Sequence, residues 1–388
     1  MTETLSHSLS REEILRYSRH LLIPEVGLAG QQKIKESSML VVGTGGLGSP
    51  IAMYLAAAGV GHIGLVDYDT VDLSNLQRQI IHGSGTLGKR KVESARKRLQ
   101  DINPSITIST FDERFTSQNA FRISDTFDIL IDATDNFPTR YLLNDVAVLR
   151  HKPMVYGSIY QFEGQASVFH ADEGPCYRCI FPDPPPPELV PTCDESGVFG
   201  VLPGTIGTIQ AAEAIKLALG IGQTLIGRLL LYDAMAMSFD PITLHKNPHC
   251  RICSEKADIH DLVDYNDFCG VPGLLGPTEE LPAAYCISPR ELATALSSDS
   301  PPHMIDVREP HEQEISRIEG AAVIPLGELA ARVQDRDRDD DIVVICKAGT
   351  RSARAMGLLL GAGFKRVRNL TGGINAWAAD IDPDLPIY

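Results

Sequence analysis

Several short stretches of this sequence carry residue types that can do chemistry together. Gly43-Thr44-Gly45-Gly46-Leu47-Gly48 follows an apolar run at residues 39–42 and opens a helical pattern that continues to Ala58. Glycines in that context let backbone N–H groups and a helix N-terminus face phosphate oxygens. Asp67 ends the next apolar run, residues 63–67, where a carboxylate holds ribose hydroxyls. By themselves these features describe a dinucleotide site and an NAD-dependent oxidoreductase. Asn75, Arg78 and Lys91 follow closely and change the ligand. Cations beside the phosphates suit a triphosphate that loses pyrophosphate, because charge develops there in the transition state. Hydride transfer has no use for them. Asp135, in Asp132-Ala133-Thr134-Asp135-Asn136, falls at the carboxyl end of a further apolar run and can hold Mg²⁺.

The cysteines supply two more sites. Cys176/Cys179 and Cys250/Cys253 form two Cys-x-x-Cys pairs among eight cysteines. Four thiolates from two such pairs close one tetrahedral Zn²⁺ site, which is then structural. Cys193 follows a proline-rich stretch at residues 181–191, where an exposed loop thiol can reach an activated carboxyl. Its neighbours Asp194 and Glu195 act to raise its pKa, and an inert loop cysteine is the alternative. Cys346 ends an apolar run and begins Cys346-Lys347-Ala348-Gly349-Thr350-Arg351 ahead of a helical segment. Loop N–H groups, Lys347 and Arg351 would stabilise a thiolate and its persulfide there. Cys269 and Cys286 carry no motif and read as structural.

The elements that must position these residues follow from the apolar pattern. Residues 11–35 read as helical. From residue 39, short apolar strands (39–42, 63–67, 106–108, 129–133) alternate with helices, including a charged one at 89–100. That alternation predicts a parallel sheet covered on both faces. A helix at 210–219 closes on Gly220. Residues 264–283 turn to Gly, Pro and acidic residues without periodicity and read as a linker. A second α/β pattern then has strands at 304–307 and 342–346 and a helix at 352–360. The expected organisation is thus a nucleotide domain at 1–263, a linker at 264–283 and a small domain at 284–388.

With 388 residues, 43% hydrophobic and 22% charged, the composition is that of a soluble globular enzyme. A net charge of −15 argues against nucleic acid as a partner. No apolar run approaches the ~20 residues that span a bilayer, and residues 1–10 lack a signal-peptide core. No membrane partner and a cytoplasmic location are therefore expected, and cysteine pairs there mean metal or catalysis more than disulfides.

Gly-x-Gly-Gly-Leu-Gly-Ser from Gly43 and Asp-x-Asp-x-Val-x-x-Ser-Asn-Leu-x-Arg-Gln from Asp67 resemble the ubiquitin-activating superfamily. The likeness is specifically to its bacterial-type branch of molybdopterin-synthase and thiamine-pathway adenylyltransferases, over roughly residues 10–260. The resemblance implies a Rossmann-like α/β domain that adenylates the Gly-Gly terminus of a ubiquitin-like sulfur carrier. It implies ATP and Mg²⁺ binding through Gly46, Asp67, Ser74, Asn75, Leu76, Gln77, Arg78, Lys91, Asp135 and Asn136, and Gly43, Gly45, Gly48 and Asp69 complete the expected nucleotide site. It supports the zinc reading and matches Cys193 to a loop cysteine that some members link covalently to the carrier. Arg16-Tyr17-Ser18-Arg19 matches a segment whose second arginine reaches the neighbouring subunit's triphosphate, so Arg19 would act across a homodimer.

The cysteine loop, with Asp306-Val307-Arg308-Glu309 and Gly372-Gly373-Ile374-Asn375-Ala376-Trp377, is similar to rhodanese sulfurtransferases over residues 284–388. The loop has the six-residue length of sulfurtransferases; related phosphatases use one residue more. Arg317-Ile318-Glu319-Gly320 departs from the family's usual His-Ile-x-Gly. Together the resemblances imply a smaller α/β rhodanese domain fused to the adenylyltransferase. Cys346 persulfide, charged by a cysteine desulfurase or thiosulfate, would make the carrier thiocarboxylate. A C-terminal module that only docks a partner is the alternative. Molybdopterin, thiamine, cysteine and tRNA thiolation all remain open as destinations.

Overall fold

A computed structural model of the chain describes residues 9–185, 196–269 and 282–388. It divides into two units, Met1–Gly273 and Leu274–Tyr388. In the first, the apolar runs become β1 (Ser38–Val42), β2 (His62–Val66), β3 (Thr107–Phe111) and β4 (Ile129–Asp132). Met39, Leu40 and Val41 are fully buried, as strands covered on both faces require. β1 pairs in parallel with β2 on one side and β4 on the other, and the order β3-β2-β1-β4 puts a topological switch between β1 and β4. Ligands of open α/β sheets bind outside the carboxyl ends of the strands at such a switch.

The sheet continues beyond the sequence reading through β5 (Met154–Tyr160), β6 (Glu163–Phe169), β7 (Arg228–Asp233) and β8 (Ser238–Thr243). β4 and β5 run parallel, and β5 through β8 are antiparallel. Gly157 and Gly164 lie inside β5 and β6 and blur the apolar pattern that would have announced them. Gly157 is needed: a Cβ there would collide with the Gln210 amide, whose Nε2 donates to the Asp132 carbonyl at 2.7 Å. The helix Leu202–Leu219, which starts earlier than expected, is thereby fixed to the end of β4.

Two expectations are corrected. The segment at 11–35 is three helices, Arg11–Arg16, Ser18–Leu21 and Gly27–Glu36. Pro24 disfavours a helical residue before it and separates the last two. The first residues of the expected linker pack into the first unit. Asp264 accepts from the N–H groups of Asn266 and Asp267 to cap the helix Tyr265–Phe268. The buried Tyr265 donates its hydroxyl to Asp145 at 2.8 Å, where Arg178 also makes two 2.8 Å bonds. Residues 270–281 of the expected linker lie outside the described residues.

The second unit is an all-parallel sheet of β9 (Cys286–Ile287), β10 (His303–Asp306), β11 (Ala322–Val323), β12 (Asp341–Ile345) and β13 (Arg366–Leu370), in the order β11-β10-β12-β13-β9. Helices Pro289–Leu296, Thr350–Gly361 and Gly373–Asp380 cover it. Leu359, Ala355 and Met356 of the middle helix enter a core with Val344 and Ile305.

Candidate functional sites

The glycine loop leaves β1 at Gly43, whose φ of +98° only glycine adopts without strain. A Cβ at Gly43 would stand 2.5 Å from the Ala133 carbonyl oxygen, so β1 and β4 meet there. A Cβ at Gly48 would collide with the Gly43 carbonyl, which makes Gly48 a packing residue of the loop. Thr44 donates its N–H and hydroxyl to Asp67 Oδ2 at 2.8 and 2.9 Å, and the Asp69 N–H donates to Oδ1 at 3.0 Å. Oδ1 keeps a further lone pair for a ligand hydroxyl, while both of those on Oδ2 are taken by Thr44. His82 lies beneath, with Nε2 3.1 Å from the Thr44 carbonyl and Nδ1 2.9 Å from Ser94 Oγ. Burial lowers its pKa, so a neutral imidazole ties the loop to the helix Lys91–Ile102.

A cavity of ≈ 540 Å³ opens over this loop, within the usual size of small-ligand sites. Gly43, Gly45, Gly46, Asp67, Asp69, Arg78, Lys91, Asp135 and Asn136 line it. Taken alone, Lys91 reads as a solvated surface group, yet it is 7% exposed and holds Asp69 Oδ2 at 3.0 Å. Arg78 donates to the Ser74 carbonyl at 3.1 Å. Asn136 Oδ1 caps the helix Phe137–Leu149 through the Thr139 N–H.

Ser74, Asn75, Leu76 and Gln77 do not line the cavity; they build the turn that presents Arg78. Asp72 accepts from the Ser74 N–H and hydroxyl at 2.8 and 2.6 Å, while Asn75 accepts from the Asp72 N–H. Gln77 lies against Gly200. Arg19 is exposed on the helix Ser18–Leu21 and is not among the lining residues. Tyr68, Gln79, Glu113, Phe115 and Ser158 are lining residues that sequence reasoning missed. Only Tyr68 and Gln79 adjoin the motif, and the others arrive from separate strands and loops.

Cys176, Cys179, Cys250 and Cys253 bring their sulfurs within 4.8 Å of one another. Measured pairs are 3.8 Å (Cys176–Cys179), 3.5 Å (Cys176–Cys250) and 3.4 Å (Cys179–Cys253). A tetrahedral ion with Zn–S bonds of about 2.3 Å separates its sulfurs by about 3.8 Å. The donor set therefore fits a closed metal site. Cys193 lies outside the described residues. Cys269 is buried, and burial pushes its thiol up to about 12, as suits a structural residue.

In the second unit Cys346 follows β12 directly and is buried at the base of its loop. The Gly349 N–H points at its sulfur at 3.1 Å, and Ser352 Oγ lies 3.2 Å from it. Gly349 has φ +100°, which turns that N–H inward. Arg351 does not present a free charge to the sulfur. It forms a two-pronged pair with Glu312 at 2.7 and 2.7 Å, and Tyr388 adds a hydroxyl donor to Glu312 at 2.9 Å. Lys347 Nζ sits 5.0 Å from the centre of the Tyr388 ring. Burial acts to raise Glu312, but the Arg351 bonds outweigh it and hold the carboxyl at about 2, down from 4.5. A depressed carboxyl stabilises the fold above its unfolded pKa and loses that contribution as pH falls through the folded value. The melting temperature of the chain is expected to drop between about pH 4.5 and pH 2 in part through Glu312. In Glu312→Gln that portion of the pH dependence is absent, as calorimetry across the range would show.

A cleft lined by Lys91 and Arg78 over a glycine loop suits transfer of a nucleotidyl group, and a strand-end thiol facing a loop amide suits transfer of sulfur. These two units define a nucleotide-dependent transferase fused to a sulfurtransferase. Comparison with protein families makes the class specific. Residues 17–252 match the ThiF family and residues 288–380 match the rhodanese-like domain, and the chain belongs to the ThiF family. It is 48% identical to the probable adenylyltransferase/sulfurtransferase MoeZ of Mycobacterium tuberculosis, over 98% of this chain and 97% of that protein. It is 43% identical to the adenylyltransferase and sulfurtransferase MOCS3-1 of Zea mays, over 98% and 85% of the two chains. A crystal structure of E. coli MccB with ATP shares the fold, with a TM-score of 0.53 and 19% identity over 58% of this chain and 68% of that one. The chain is an adenylyltransferase and sulfurtransferase, and the hydride-transfer reading is set aside.

Proposed function

We propose that the chain adenylates the C-terminal glycine of a ubiquitin-like sulfur carrier ending in Gly-Gly and converts it to a thiocarboxylate with sulfur carried on Cys346. The observation that carries the first half is Lys91, an ammonium buried in the wall of the cleft beside Arg78 and the glycine loop. The carrier carboxylate attacks the α-phosphorus of ATP; the bond to the β-phosphate oxygen breaks and pyrophosphate leaves with the electron pair. No general base is needed, because the attacking carboxylate is already ionised. Orientation and stabilisation of the developing charge by Lys91 and Arg78 do the work. Asp135, exposed on the cavity wall, would supply an oxygen ligand for Mg²⁺, which would neutralise phosphate charge. The glycine loop holds phosphates and Asp67 the ribose, with Asn136 beside Asp135.

In the second half the Cys346 thiolate takes the outer sulfur of its donor, and sulfite leaves when that donor is thiosulfate. The terminal sulfur of the persulfide then attacks the carrier carbonyl, and AMP leaves with the electron pair. An acyl disulfide results; a thiolate such as that of Cys193 attacks the Cys346 sulfur, the thiocarboxylate leaves with the electron pair, and the disulfide formed with Cys346 is reopened by an external thiol reductant. Arg19, exposed and not among the residues that line the cleft of its own chain, would serve the cleft of a partner subunit in a homodimer. Among the described residues no helix is long and apolar enough to cross a membrane.

ATP–pyrophosphate exchange tests this reading. Exchange is expected only when a Gly-Gly-ended carrier and Mg²⁺ are present; exchange without any carrier would refute it. The four-cysteine cluster supports one structural Zn²⁺ per chain. Cys250→Ala is expected to lose that zinc, read by atomic absorption, and to melt at least about 5 °C lower.

A further inference from the structure

Ser352 is fully buried, and three acceptors compete for its one hydroxyl proton. Its Oγ lies 2.5 Å from Asn369 Oδ1, 3.1 Å from the Gly349 carbonyl and 3.2 Å from Cys346 Sγ. Asn369 is itself buried, on β13 beside the loop. With Cys346 as a neutral thiol the arrangement is satisfied: S–H donates to Ser352 Oγ, and Ser352 donates to Asn369. An anionic sulfur can only accept. The Ser352 proton must then turn to it, which leaves the Asn369 oxygen facing a lone pair. A carboxamide resolves that conflict by reversing, since its two ends have nearly the same shape and opposite hydrogen-bonding sense.

We propose that Ser352 is a catalytic residue that donates to the anionic sulfur of Cys346, and that Asn369 is a positioning residue whose amide reverses to release that proton. In the anionic state Asn369 Nδ2 donates to Ser352 Oγ, and Ser352 O–H donates to Sγ beside the Gly349 N–H. The thiol proton passes to solvent, and no other bond changes. The device sits at the foot of the loop and holds Sγ, which leaves the terminal sulfur of a persulfide for the acceptor. The charged groups around the loop are already paired: Arg351 with Glu312, Arg308 with Asp306, and Lys347 against the Tyr388 ring. A buried hydroxyl is therefore the added donor available for a change of sulfur charge.

This inference rests on Cys346 as the sulfur-carrying nucleophile. The test uses the full chain with thiosulfate as donor and cyanide as acceptor, plus iodoacetamide labelling of Cys346 followed by peptide mass mapping across pH. Ser352→Ala is expected to lower both sulfur transfer and neutral-pH labelling about 10-fold, with the labelling midpoint moved to higher pH, the scale of one hydrogen bond to a charged group. Asn369→Asp cannot donate to Ser352 and is expected to do the same. Asn369→Gln, which keeps the amide, is expected to recover part of the loss. ATP–pyrophosphate exchange in the first unit and the melting curve report whether each variant is folded. Unchanged labelling profiles in folded Ser352→Ala and Asn369→Asp would overturn the inference. Sulfur transfer that survives Cys346→Ala would instead overturn the reading beneath it.

Discussion

Lys91→Ala is expected to slow carrier-dependent ATP–pyrophosphate exchange by about 10²–10³-fold, the usual loss when one preorganised charge-stabilising donor is removed. The loss should appear in kcat more than in KM for ATP, because the charge that Lys91 meets grows as pyrophosphate departs. Its burial is the reason for the size of the effect: an ammonium 7% exposed acts through a medium less polar than water. Asp69, its 3.0 Å partner, is about half exposed, so the variant leaves no buried unpaired charge and should fold normally. Thiosulfate-to-cyanide transfer by the second unit is the internal control and should be unchanged. Steady-state kinetics of both activities on one preparation would check this. Equal loss of both would mean that the variant is simply misfolded.

The complementary result is expected for Cys346→Ala. Sulfur transfer from thiosulfate to cyanide should fall to background, because no other group at the base of the loop can hold a persulfide. Exchange at the nucleotide cleft should persist at the wild-type rate. The alternative, a second unit that only docks a partner, predicts that Cys346→Ala leaves thiocarboxylate formation intact. Intact-mass detection of the persulfide on wild-type chain, and its absence on the variant, separates the two.

Much of this organisation was legible in the sequence because it rests on local rules. A glycine loop between strand and helix, a carboxylate at the next strand end and a cysteine before a helix each carry a pattern within a few residues. What escaped depends on distance in the chain. β5 and β6 hide behind Gly157 and Gly164, whose need appears only when Gln210 is seen against the first and Ile206 against the second. Phe115, from the loop after β3, and Ser158, on β5, reach the cleft with no motif to mark them. Residues 264–269 look like linker by composition, yet Tyr265 is drawn in by Asp145, 120 residues earlier. Arg351 reads as a cation for the sulfur, and Glu312, 39 residues away, takes that charge instead. Lys91 shows the converse: it reads as a surface lysine when taken alone and as a phosphate cation beside Asn75 and Arg78, and it is buried in the wall of the cleft.

The measurement that bears most directly on the whole account is the intact mass of a Gly-Gly-ended ubiquitin-like carrier after incubation with the chain, ATP, Mg²⁺ and thiosulfate under a thiol reductant. The account predicts exchange of one carrier oxygen for sulfur, dependent on ATP and lost in both Lys91→Ala and Cys346→Ala. Oxygen-to-sulfur exchange that proceeds without ATP, or that survives Cys346→Ala, would contradict it.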